Sequence, residues 1–229
     1  MRVLALHHHL EDNPGLIGEA FEARGFLVDL VLFDATTPTP SLDGYDLLLI
    51  LGSKEAVYDD AVEAAWFGRE LALIAEADAR DLPIFGICFG AQALCRFGGG
   101  VVEKGPDGTA EIGWYEVTPT EGSPIASGPW FEFHYDRCTL PETATLWASS
   151  PRAVQAFSLG RHVGVQFHPE IDERQLREWL ETAADDARDF GHDVAALLAE
   201  TAANETGARV RAQVLVDAVL THNGLLTQD

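Results

Sequence analysis

Short apolar runs alternate with longer amphipathic stretches over the first hundred residues, the pattern of repeated strand–helix units around a parallel sheet. The spacing predicts a first strand over Val3–Leu6, a helix over Leu16–Arg24 closed by Gly25, and a second strand over Phe26–Phe33. A buried third strand is predicted over Tyr45–Leu51, which contains five consecutive aliphatic residues. A helix follows over about Val62–Arg80, carrying Ala65, Leu71, Ile74 and Ala75 on one side, and Pro83 opens a fourth strand, Ile84–Ile87. After residue 100 the rhythm becomes strands bounded by turn residues: Glu111–Val117, Leu146–Ala148, Val154–Ser158 and Val163–Phe167. The expected fold is therefore α/β, a doubly wound, mostly parallel sheet flanked by helices with antiparallel additions in its second half. Beyond Glu170 the chain turns helical and acidic, with nine acids against three arginines from Glu170 to Asp193, as suits a solvated helix face. With no linker, repeat or low-complexity tract, one domain over 1–229 is expected.

Composition narrows the function. Of 229 residues 47% are hydrophobic, enough for a large core, and 37 acids against 15 bases give a formal net charge of −22. Only two bases are lysines, Lys54 and Lys104. A basic nucleic-acid groove and a polybasic membrane-binding tract are both disfavoured. Cys88, Cys95 and Cys138 are too few and too irregular for a disulfide framework and contain no Cys-x-x-Cys pair. The strand-like start lacks the features of a signal peptide and no apolar run reaches membrane-spanning length, so a cytoplasmic location is expected.

The chemistry-bearing stretch is Gly86-Ile87-Cys88-Phe89-Gly90-Ala91-Gln92, where a buried strand meets a helix. This is a nucleophile-elbow pattern with sulfur as the nucleophile: glycines permit the tight turn, and the helix N-terminus favours a thiolate. The competing reading is a small buried hydrophobe. A thiolate attacking an acyl group needs a proton shuttle and something to orient it. Gln166-Phe167-His168-Pro169-Glu170 offers both, and in extended chain His168 and Glu170 share one face, with Pro169 ending the ladder.

Together these two segments resemble the class I glutamine amidotransferases, in particular stand-alone domains similar to the glutaminase half of GMP synthetase. Two further blocks extend the likeness over nearly the whole chain. Leu49-Ile50-Leu51-Gly52-Ser53-Lys54-Glu55-Ala56-Val57-Tyr58-Asp59 is similar to the family's Gly-Gly-Pro-x-Ser-Val-Tyr-Asp loop, and Phe133-His134-Tyr135-Asp136 with Leu140-Pro141 to its His-Gly-Asp segment. The resemblance implies a Cys88-His168-Glu170 triad that hydrolyses a γ-glutamyl amide through a thioester, with oxyanion donors from the backbone of Phe89 and the Gly52-Ser53 turn. It places Gln92, His134 and Asp136 at the substrate, with no metal or other cofactor. Ser53, Lys54 and Tyr135 depart from the family's glycine, proline and glycine, and Tyr135 is bulky enough to reshape the pocket.

The chain has no phosphate-binding loop with which to activate an acceptor, so released ammonia would pass to a synthetase partner in trans. Two alternatives stay open: a stand-alone γ-glutamyl peptidase or amide hydrolase using water alone, and a non-catalytic regulatory subunit. A redox or chaperone role is disfavoured because Phe89 stands where the related family has histidine. Among the remaining residues, His7-His8-His9 is expected at the sheet's ligand-binding edge, with neighbours on opposite faces. Cys95 is expected in the core, Cys138 matches no motif, and Trp130, Phe131, Phe133 and Tyr135 are expected to pack a pocket wall. The charge is read as solubility or adaptation to a salty medium.

Overall fold

The computed structural model describes residues 1–106 and 109–226. Five parallel strands form one half of a nine-stranded sheet: β1 (Arg2–His7), β2 (Leu27–Leu32), β3 (Leu47–Ile50), β4 (Ile84–Ile87) and, far later in the chain, β11 (His162–Val165). Between β4 and β11 come β5 (Val101–Lys104), β6 (Glu111–Pro119), β7 (Gly128–His134), β8 (Asp136–Thr139), β9 (Ala144–Ser149) and β10 (Val154–Leu159). The sheet order is β2-β1-β3-β4-β11-β10-β9-β6-β7, with β5 and β8 paired separately. All pairings from β11 to β7 are antiparallel, so the expected additions form the sheet's second half.

The helices are α1 (Gly15–Glu22), the short α2 (Asp60–Val62), α3 (Gly68–Ala79), α4 (Phe89–Phe97), α5 (Glu173–Asp189) and α6 (Val194–His222). A π-helical turn, Glu63–Phe67, joins α2 to α3 where a single helix was expected. The solid apolar runs of the central strands follow from burial on both faces. Val3, Ala5, Leu47 and Leu49 face α1 and α6, while Leu4, Leu6, Leu48 and Ile50 face α3 and α4. A third apolar cluster seats α5 on β6 and β7 through Leu176, Leu180, Ile112 and Phe131. Among the described residues no helix is long and apolar enough to cross a membrane.

The order in which strands are added reverses between β1 and β3, and strand carboxyl ends lie there, the usual place for a ligand in an open α/β sheet. β1 leads to His8 and His9, β3 to Gly52, β4 to Cys88 and β11 to His168. β11 ends two residues earlier than expected. Gln166 still bonds through its backbone to Gln155, but Phe167 and His168 lie in irregular chain, and the His168 amide is taken by the Phe131 carbonyl of β7 at 2.7 Å.

Candidate active site

Cys88 caps α4 with φ 50° and ψ −103°, a conformation rare for a residue with a side chain. The turn survives because both flanking glycines meet backbone. A Cβ on Gly86 would lie 2.4 Å from the Gly90 carbonyl carbon, and one on Gly90 would lie 2.3 Å from the Ile50 carbonyl oxygen. The Cys88 amide donates to the Val165 carbonyl at 2.8 Å, tying the elbow to the strand that leads to His168. Phe89 opens the helix, so its amide is one of those that no earlier helical carbonyl can accept.

His168 and Cys88 lie beside one another across Gly52: a Cβ there would be 3.1 Å from His168 Cε1 and 3.7 Å from Cys88 Cβ. His168 Nδ1 bonds Glu170 Oε1 at 2.7 Å, which leaves Nε2 for the sulfur. Burial opposes charge on this imidazole, but Glu170 and Cys88 outweigh it and lift its pKa well above the ordinary value. His168 and Glu170 do not share a face of extended chain as expected. They meet in the turn after β11, where Pro169 bends the chain, and not along an extended strand. The turn is held from outside, since the Glu170 carbonyl accepts from the Leu16 amide at 2.9 Å.

A cavity of about 160 Å³, the scale of one amino acid, opens over Cys88 and His168. Gly52, Ser53, Gln92, His134 and Asp136 all line it, so of the residues assigned to the reaction or its substrate from sequence only Phe89 and the buried Glu170 do not border this space. Gln92 Nε2 donates to Gln166 Oε1 at 3.2 Å, and Gln166 Nε2 donates to Cys88 Sγ at 3.4 Å. His134 is buried with Nε2 3.2 Å from Glu111 and 3.3 Å from Glu132. Burial disfavours its charge, yet the two carboxylates raise its pKa to about 10, while burial pushes Glu132 up to about 7. Asp136 accepts from the Tyr58 hydroxyl at 2.9 Å, and burial raises its pKa. Tyr135 and Phe133 line the same wall, while Trp130 and Phe131 belong to the core behind it.

The family model for glutamine amidotransferase class-I matches residues 14–184. The chain belongs to this family. As a family member it is 35% identical over 150 residues to the GMP synthase [glutamine-hydrolyzing] of Phenylobacterium zucineum, covering 58% of this chain and 27% of that protein. It is 38% identical over 102 residues to the Brucella melitensis enzyme of the same name, covering 39% and 20%. It therefore spans about a quarter of the length of these curated relatives. A Thermotoga maritima glutamine amidotransferase structure superposes with a TM-score of 0.84 at 27% identity, covering 96% of this chain and 98% of that one. A Methylobacillus flagellatus glutamine amidotransferase shares the fold, at a TM-score of 0.84 and 23% identity.

Three contacts of this amidotransferase site were not expected from the sequence. Gln166 contacts the Cys88 sulfur, and its place two residues before His168 was the available signal. Trp179 of α5 sets its ring at 80° to the His168 imidazole with centroids 4.9 Å apart, a contact between distant segments that no local pattern announces. His8 and Glu70 form a buried pair behind Gly52, 62 residues apart in sequence. Of the other histidines, His7 ends β1, and His9 reaches the pocket and bonds Glu55 at 3.0 Å. Cys95 is in the core as expected, and Cys138, also a free thiol, is hydrogen-bonded to it, a contact that together with burial raises the Cys138 pKa.

Proposed function

We propose that the chain hydrolyses the γ-amide of glutamine with Cys88 as nucleophile. The observation that carries this reading is the strained elbow cysteine beside an imidazole whose far nitrogen is held by Glu170 at 2.7 Å. Cys88 Sγ attacks the amide carbon, and the resulting oxyanion is met by the backbone amides of Phe89 and the Gly52-Ser53 turn. His168 Nε2 gives its proton to the leaving nitrogen, the C–N bond breaks, and ammonia departs from a γ-glutamyl thioester. Water, deprotonated by His168, then attacks the thioester and frees glutamate and the sulfur. Glu170 holds the ring in the tautomer and orientation both steps need. Gln92, His134 and Asp136 bind the glutamyl portion, and the ammonia passes to a synthetase in trans, in keeping with the GMP synthase relatives.

A panel of glutamine, γ-glutamyl dipeptides and other primary amides tests this. Ammonia release from glutamine should fall at least about a thousandfold in Cys88→Ala and His168→Ala, and 6-diazo-5-oxo-norleucine should label Cys88. Peptide cleavage with negligible ammonia release from glutamine would reassign the substrate to γ-glutamyl peptides, and an unlabelled, inactive Cys88 would end the catalytic reading.

A further inference from the structure

We propose that His8 is a positioning residue for the oxyanion site: held by Glu70, it pins the Gly52 carbonyl and thereby aims the Ser53 amide at the reacting centre. The inference rests on the proposed role of the Gly52-Ser53 turn. His8 follows β1 and is fully enclosed, with Trp66 stacked on it at 4.8 Å and Phe89 at 5.1 Å between ring centroids. Its Nδ1 lies 2.9 Å from the Gly52 carbonyl oxygen, and its Nε2 lies 2.8 Å from Glu70 Oε2 on α3.

Both neighbours offer acceptor oxygens, so donating to both takes two N–H groups on His8, the imidazolium form. Burial opposes that charge, but Glu70 and the Gly52 carbonyl outweigh it and raise the His8 pKa. The Gly52-Ser53 peptide is trans, so its C=O and N–H point in opposite directions across one plane. With the carbonyl drawn back toward His8, the Ser53 N–H faces away from His8, and Gly52 itself packs against Cys88 and His168. A cation on the carbonyl also polarises the peptide and makes its N–H a better donor. His8 touches neither substrate nor sulfur in this arrangement. Its effect passes entirely through one peptide group, and the cost of a rotated peptide falls on the tetrahedral state more than on bound substrate.

Removing His8 alone would strand Glu70, which is 0% exposed, as a buried unpaired charge. The test therefore compares two full-length double variants without that charge, His8→Leu/Glu70→Leu and His8→Asn/Glu70→Leu. The asparagine amide hangs from Cγ as Nδ1 does and can still donate to Gly52. With glutamine and γ-glutamyl-p-nitroanilide as substrates, the leucine pair should lose about 10- to 100-fold in kcat with KM within about threefold of wild type. The asparagine pair should recover at least about tenfold of that loss. Alkylation of Cys88 by chloroacetamide proceeds by displacement at a saturated carbon and needs no oxyanion site, so its rate should be unchanged in both. A kcat for the leucine pair within about threefold of wild type, no recovery with asparagine, or an alkylation rate that falls in step with kcat would each overturn the proposal. Wild-type protein that hydrolyses neither substrate would instead remove the reading of the site on which the proposal stands.

Discussion

The elbow at Cys88 and the pairing of His168 with Glu170 are each written in a short stretch of chain. Cys88 needs only the glycines two residues to either side, and His168 finds Glu170 across a single proline. These relations span a few residues, so residue types alone expose them. Gln166 belongs to the same stretch, yet its contact with sulfur depends on β11 lying beside β4. An amide N–H aimed at a thiolate stabilises the reactive form by about 1.5 kcal/mol, close to a factor of ten. Gln166→Leu should therefore slow chloroacetamide alkylation of Cys88 about tenfold while leaving the fold intact by circular dichroism. His8 and Glu70 were beyond reach, because no local pattern joins a strand end to a helix face 62 residues away.

At the level of elements, the parallel half of the sheet was legible because strands buried on both faces are nearly continuous in apolar residues, and the run Leu47 to Leu51 admits few other roles. Ends were less legible. β11 stops at Val165 because the chain turns away to meet β7 and α1, partners the sequence of β11 does not display. The π-helical turn at Glu63–Phe67 likewise answers to packing, since it buries Trp66 and Phe67 under the elbow. The junction of β4 and α4 should be the least tolerant element. At Gly90 the obstructing atom is the backbone oxygen of Ile50, which cannot swing aside as a side chain would. Gly90→Ala should cost about 3 kcal/mol, the upper end for overpacking in a core, measurable as a lowered urea midpoint with an unchanged slope. A midpoint equal to wild type would mean that β3 can yield there.

Over the whole molecule the charge of −22 is a surface property. The acids between Glu170 and Asp193 lie mostly on α5, whose apolar face packs on β6 and β7 while Arg177 and Arg188 pair with acids on its outer side. Such exposed pairs add little, and like charges dominate the field around them. Screening should therefore stabilise the fold. A gain of about 1 kcal/mol from low salt to about 1 M NaCl corresponds to a rise of about 2–4 °C in Tm for a chain of this size. A flat profile in thermal melts would assign the acids to solubility alone. By itself the sequence determined the layered α/β architecture, the elbow at Cys88 and the pair His168 and Glu170, because each is a repeating pattern or a relation within a few residues. Tertiary structure alone decided which strand carboxyl ends meet over Cys88, which buried groups stand behind the Gly52 peptide, and that Trp179 closes over His168, because those contacts join segments with no sequence relation and exist only once the sheet has assembled.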